Sequence, residues 1–269
     1  MRHTLTAGVQ VEITTVAERP EPSRYHFDAG PWGEFMRFNR VAEAYFLQAR
    51  QVFPEICLLA TTDDGTVVAD GQAVPLALGG PGRARLPDGG WEQAVVWAFA
   101  DQRRGVQPNA ACALNIAVAA SLQGQGLSRL ILAALRDAVR DAGLSTLVAP
   151  VRPTWKDREP WTTMGEYAAR VRTDGMPYDP WLRTHVRAGG VIVAVAPTSW
   201  VIAATLADWR AWTGLAFDAD GEVEVPYALV PVRCDTRAGH VTYVEPNVWV
   251  RHDVGSSRPL LAAGDSERQ

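Results

Sequence analysis

Residues 111–143 constrain the fold more than any other part of the chain. Residues 111–118 are apolar except for Asn115, so a strand here has no face to give to water and belongs inside a sheet covered on both sides. Gln123-Gly124-Gln125-Gly126 follows. Leu127, Leu130, Ile131, Ala134, Leu135, Ala138 and Val139 then recur at helical spacing over residues 127–142. Gly143 suits the left-handed residue that closes such a helix. Residues 144–151 form the next apolar run. Strand, glycine turn, amphipathic helix and strand in this order imply α/β architecture.

The flanking sequence supplies further elements. Alternation over residues 4–16 predicts a first strand. Pro31 and Trp32 open a predicted helix that reaches Phe53, where Pro54 ends it. Asp63-Asp64-Gly65 is a hairpin turn between strands at 56–62 and 66–76. The Gly/Pro-rich residues 79–90 read as a loop, and 91–104 as a short helix. Residues 153–179 are irregular and aromatic, with one short helix around Glu166. A helix over 180–188 stops at Gly189-Gly190. Strands at 191–195 and 199–205, a helix at 206–215 and several strands within 223–251 complete the reading. Residues 255–269 have the composition of a disordered tail.

Charge and cysteine usage exclude several classes. The formal charge of −4 gives no basic footprint for nucleic acid, so an anionic cofactor needs a local site. Lys156 is the only lysine; the arginine bias fits a GC-rich bacterial genome. Cys57, Cys112 and Cys234 lack metal-ligand spacing, and the five histidines form no HxH or HxxxH pair, so no metal is expected. No apolar signal core and no 18-residue apolar run occur, which predicts a cytoplasmic protein without a membrane partner.

The glycine turn carries the chemistry. A Gly-rich loop entering a helix presents bare backbone N–H groups at the positive end of the helix dipole, where phosphate binds without lysine. Gly124 and Gly126 allow close approach, and Ser128 adds a hydroxyl at the helix start. The stretch is not GxxxxGK[ST], since no Lys follows, nor GxGxxG, since Arg129 stands at the third glycine.

Leu114, Asn115 and the run from Ile116 to Ser128 resemble the acyl-CoA motif of the GNAT superfamily of acyltransferases, Gln/Arg-x-x-Gly-x-Gly/Ala after a strand. Gln123 and Gly126 match, and Ser128 replaces the last small residue. The resemblance implies an α/β (α+β) fold with a mixed, mostly antiparallel central sheet flanked by helices. It implies that Gln123, Gly124, Gln125, Gly126, Leu127 and Ser128 hold the pyrophosphate of acetyl-CoA or another acyl-CoA. Ile116, Ala117 and Val118 would hydrogen-bond the pantetheine arm. His185-Val-Arg-Ala-Gly189-Gly190 resembles the family's Tyr-x-x-x-Gly-Phe, which puts His185 where a Tyr protonates the departing thiolate. The expected organisation is a core at 1–200, a β-rich C-terminal extension at 201–254 packed on it, and a tail at 255–269.

As an acid, His185 would titrate near neutrality and weaken above it. The base is less visible. Asn115 can orient a substrate or a water but cannot take a proton. Glu166 and Asp179 are carboxylates within the aromatic insertion, where solvated surface roles compete with catalytic ones. Trp155, Trp161, Tyr167, Tyr178 and Trp181 are candidates either for an acceptor pocket wall or for core packing. Arg152 and Lys156 are candidates for an acidic acceptor or the 3′-phosphate, against a plain surface role. The expected activity is N-acyl transfer to the amine of a small-molecule acceptor, with a homodimer allowed. The alternatives are a GNAT-like binding module without turnover and an acyl-CoA thioesterase or decarboxylase.

Overall fold

The computed structural model describes residues 1–19, 27–30 and 32–255. The tail expected from 255 onward therefore lies, apart from Gly255, outside the described residues, as does Pro31.

The expected first strand is a hairpin, β1 (Arg2–Thr4) and β2 (Gln10–Thr15), turning through Gly8 at φ 80°. The helix expected from Pro31 to Phe53 is broken. A 3-10 turn spans Glu34–Phe38, and Asn39 is extended before α1 (Arg40–Val52). The Asn39 side chain accepts from Ala42 N at 2.8 Å, so an N-cap interrupts what periodicity alone reads as continuous. β3 (Cys57–Thr62) and β4 (Val67–Leu76) form the expected hairpin. Next come α2 (Gly90–Arg104), β5 (Ala110–Val118), α3 (Leu127–Asp141) and β6 (Thr146–Val151). The insertion contains α4 (Met164–Ala168) and leads into α5 (Pro180–Arg187).

The two strands expected at 191–195 and 199–205 are one, β7 (Val191–Thr205). Ala196 faces Asn247 and Trp200 faces Glu245, so a bulge absorbs Pro197, which cannot donate to a ladder. Then follow α6 (Leu206–Thr213), β8 (Gly221–Val223), β9 (Val232–Asp235) and β10 (His240–Asp253).

The strands form one sheet in the order β1-β2-β3-β4-β5-β6-β10-β9-β8, with β7 along the other side of β10. Every pairing is antiparallel except β5 with β6. The sheet is thus mixed and mostly antiparallel, as the resemblance implied. β10 lies between β6 and β7, and residues 206–239 make the excursion that separates β7 from it.

Alternation assigns the two faces. A Cβ at Gly71 would stand 2.6 Å from Ile131 Cγ2, so Gly71 faces α3, while Asp70 and Gln72 face the opposite way. Trp249, paired with Pro150, reaches Pro87 O near the start of α2 on that opposite face. Hence α3 and α5 cover one face, and α1 and α2 the other. The main core spans the sheet and these helices. A second core joins Phe35 and Met36 to Trp209, Phe217 and Val232 of the excursion and to Tyr243 of β10. No helix among the described residues is long and apolar enough to cross a membrane.

Candidate functional site

The glycine turn has the geometry of an anion site. Gly124 (φ 76°) and Gly126 (φ 85°) are left-handed, and Gly126 is the residue before α3, with no side-chain cap on that helix. Among the described residues, no backbone hydrogen bond is donated by the amides of residues 124–128. They stand free where the dipole of α3 is positive. A Cβ at Gly126 would meet Arg129 Nη2 at 3.0 Å, so the Arg129 guanidinium lies over the turn. The sequence used Arg129 only to exclude a dinucleotide motif; the structure makes it a further positive group at the site. Gln123 anchors the turn instead of facing outward, donating to Ala29 O at 2.7 Å and Val118 O at 3.2 Å.

The turn opens into a gap in the sheet. β5 and β6 pair only at Ala111↔Leu147 and Cys112↔Val148. Past these pairs Asn115, Ile116 and Ala117 become half-exposed on the central strand, whereas residues 110–114 are buried. The gap begins beside a bulge. Ala73 faces Ala113 and Gln72 faces Asn115, so Leu114 is the extra residue, and its carbonyl accepts from Trp91 Nε1 at 2.8 Å. Asn115 Nδ2 donates to Asp70 Oδ1 at 2.6 Å. Beside them Gln72 is 0% exposed, and neither of its amide atoms has a partner among the described residues; nor has Asn115 Oδ1. Sequence reading passed over Asp70 and Gln72 as part of a hairpin strand. The available signal was Asp-Gly-Gln inside an otherwise apolar run.

His185 sits on the α3/α5 face, at the level of Leu147 just before the gap opens. It is 2% exposed, and its Nδ1 lies 2.9 Å from Nε2 of His252 on β10. Burial first, then His252, pushes the His185 imidazole down to about 3. Burial and then Arg136 push His252 down to about 4. Both rings are therefore neutral at neutral pH, and the expected loss of protonated His185 just above neutrality is corrected, because burial has moved its titration far below that range. Gly190, where the family pattern has Phe, is held to glycine by crowding: a Cβ there would lie 2.6 Å from His252 Cε1.

The insertion is organised around Asp179 and Lys156, whose polar atoms are satisfied, although Asp157 Oδ1 is buried without a partner among the described residues. Asp179 is 1% exposed, not solvated. Its carboxylate caps α5 by accepting from Trp181 N and Leu182 N, and also accepts from Trp155 N and Tyr167 OH. Trp155, Tyr167 and Tyr178 pack edge to face around it, Trp181 packs edge-on against His185, and Trp161 is exposed. Lys156 is 0% exposed, with Nζ donating to the carbonyls of Glu159, Pro160 and Leu229. Glu166 is exposed and completes a capping box with Thr163 at the start of α4; the Thr163 hydrogen bonds hold its carboxyl below the usual range. None of its described hydrogen bonds goes to Asn115 or His185. Arg152 follows β6 and pairs with Glu245 Oε2 at 2.9 Å, inside a network with Tyr243, Asn247 and Ser199.

No family model matches the chain. Among characterised proteins it is similar to the arginine N-acetyltransferase AvaD of Aspergillus versicolor, 34% identical over 274 residues, which cover 90% of this chain and 93% of the relative. Among solved structures it is similar to the loading GNATL domain of CurA from Lyngbya majuscula, with a TM-score of 0.55, 14% identity, and 91% of this chain and 98% of that one covered. At that identity the second likeness concerns the fold alone. A match to an N-acetyltransferase over most of both chains, joined to the bare-amide turn and the split sheet, settles the class. The chain belongs to the GNAT superfamily of acyl-CoA N-acyltransferases. It is an enzyme that moves an acyl group from acyl-CoA, its co-substrate, to an amine.

Proposed function

We propose that the chain acetylates a nitrogen of free arginine or a close small-molecule analogue. The observation that carries acyl-CoA binding is the row of bare amides at the start of α3, opening into the gap between β5 and β6. The arginine acceptor rests on the relative's named substrate. Residues 124–128 and Arg129 take the pyrophosphate, and the strand edge at half-exposed Ile116 and Ala117 and buried Val118 takes the pantetheine arm. The acceptor nitrogen attacks the thioester carbon; the C–N bond forms, the C–S bond breaks, the nitrogen loses a proton and the CoA thiolate leaves. Asn115 orients the acceptor beside the thioester. His185, neutral at working pH, acts as a hydrogen-bonding group toward the sulfur rather than as an imidazolium, and Glu166 keeps its capping role.

Burial of the three free thiols supports a cytoplasmic setting, and the arginine bias supports a bacterial one. We assign the acyl-CoA core to residues 1–205 together with β10, with 206–239 as the appendage. A homodimer, checked by light scattering, belongs to the same reading.

Thiol release from acetyl-CoA, followed with and without arginine, tests the activity. Arginine-dependent release with acetylarginine detected by mass spectrometry is expected. Release at the same rate without any amine overturns transfer. His185→Ala is expected to lower kcat with unchanged acetyl-CoA affinity, and the wild-type profile should show no His185 titration between about pH 6 and about pH 9, a range that starts near the reference histidine value.

A further inference from the structure

Trp32 and Tyr227 are large aromatic residues that the fold leaves in the open beside the gap, 58% and 42% exposed. Contacts fix where Trp32 stands. Ala120 N donates to Asp28 O at 2.7 Å and Gln123 Nε2 to Ala29 O at 2.7 Å, which ties residues 28 and 29 to the end of β5 and the cofactor turn. The Arg152 guanidinium, just beyond β6, lies over the Trp32 ring, 5.0 Å from its centroid. Ala29 and Trp32, three residues apart, therefore meet opposite walls of the gap. Three residues reach at most about 11 Å, so the indole stands at the mouth of the gap. Arg152 is two residues past Pro150 and shares the face covered by α1 and α2, so Trp32 approaches from the side opposite α3.

Packing does not explain either placement. Arg152 covers one face of the indole, so the exposed area lies on the other. Tyr227 has φ 70°, in the left-handed region that a bulky residue rarely adopts, and its carbonyl accepts from Arg152 Nη2 at 2.5 Å. Glycine would offer the same carbonyl without strain. An exposed ring kept on a strained backbone points to use of the ring itself.

We infer that Trp32 and Tyr227 form an aromatic wall on which the guanidinium of the acceptor stacks. The acyl group enters with the cofactor from the α3 side, and the wall presents the acceptor from the other. Indole is the best ring surface for a cation. Guanidinium is planar and more weakly hydrated than ammonium, so it lies flat on such a ring more readily. Glu245, 2.9 Å from Arg152, balances the charge on the covered face of the indole. The wall rests on the arginine acceptor proposed above and gives that acceptor residues.

Calorimetry on the full chain saturated with CoA tests the wall, with arginine and citrulline as probes; citrulline keeps the shape and lacks the charge. Wild type should bind arginine and prefer it to citrulline at least about fivefold, the size of one cation–π contact. Trp32→Ala should weaken arginine by a similar factor and shrink that preference, and Trp32→Phe should restore part of both. Tyr227→Gly should weaken arginine at least about threefold, while its Tm matches or exceeds wild type because the strain is gone. A fall in Tm there would make the ring structural and overturn its part in the wall. Arginine affinity and preference within about twofold of wild type in Trp32→Ala and Tyr227→Gly, below the size of one such contact, overturn the wall. So does a wild type that fails to bind arginine or binds citrulline equally well. If wild type acetylates arginine and the variants keep its affinity, the acceptor reading stands and the wall falls. If the variants lose arginine binding and no acetylated product forms, the wall stands and the acceptor reading falls.

Discussion

Two polar clusters lie on the same face of the sheet, on either side of the gap, and they are finished differently. On one side Arg152, Tyr243, Glu245, Asn247 and Ser199 close on themselves: Glu245 Oε2 takes Arg152 and Tyr243, Oε1 takes Asn247, and Ser199 links Asn247 Oδ1 to the amide of Trp91. None of these side chains has a buried atom left without a partner among the described residues. Burial opposes the Arg152 charge, but Glu245 and Tyr243 outweigh it and raise its pKa. On the other side Gln72 and Asn115 leave three atoms open among the described residues. A closed network spends its hydrogen bonds on specifying the fold; an open one keeps them for a ligand. The two clusters therefore predict opposite kinds of mutant.

The largest effect belongs to the closed side. Arg152→Met strands the buried Glu245 carboxylate and should cost about 3–5 kcal/mol in urea unfolding with little change in CoA affinity. Arg152→Met combined with Glu245→Met should recover most of that loss. If the single variant unfolds like wild type, the contrast between the clusters is broken. Gly126→Asp addresses the other open surface, the bare amides. It adds a strained left-handed residue and a negative charge where phosphate binds, and should weaken acetyl-CoA at least about hundredfold, roughly 2.7 kcal/mol. Retained calorimetric affinity would remove the turn from the cofactor site.

The buried histidine pair, on the opposite face of the sheet from both clusters, gives a pH signature. The folded values of about 3 and about 4 lie below the unfolded reference of about 6.5, so the unfolded chain binds more protons between them. Stability should be level above about pH 6.5 and fall as pH drops below it, by up to roughly 2 kcal/mol per histidine at pH 5. Urea melts of wild type against a His185→Leu, His252→Leu double variant would show it, since the double variant should lose that part of the slope. The smallest effect is expected from Glu166→Ala: a slight fall in Tm from the lost capping box, and unchanged kcat. A large drop in kcat there would return Glu166 to the catalytic set.

Legibility followed the distance over which each feature is encoded. The strand–turn–helix at 110–141 was readable because its pattern is local, and the same holds for the 63–65 hairpin. The split before α1 was also local, but a helical period hid the cap at Asn39. The polar clusters were not readable. Asp70 meets Asn115 across 45 residues, His185 meets His252 across 67, and Arg152 meets Glu245 across 93. The first depends on strand register and the other two on how a helix and a loop residue dock against β10, none of which composition and spacing encode. The extra residue at Leu114, which opens the sheet, is likewise a property of two strands together. For Lys156 the expected surface role was wrong for a physical reason: three carbonyls converge on its ammonium and remove the need for water.

That lysine has a consequence for handling the protein. Acyl thioesters modify exposed ε-amines without any enzyme, and this chain displays none: its single lysine is walled in by main-chain oxygens. The Met1 nitrogen donates to Ile13 O at 2.6 Å. A catalyst that works among activated acyl groups is thus built without the nucleophile they would damage first. Amine-reactive dyes and crosslinkers should leave Lys156 unmarked while the chain stays folded, and a label appearing on Lys156 would report the opening of the contact between the aromatic insertion and the 206–239 excursion.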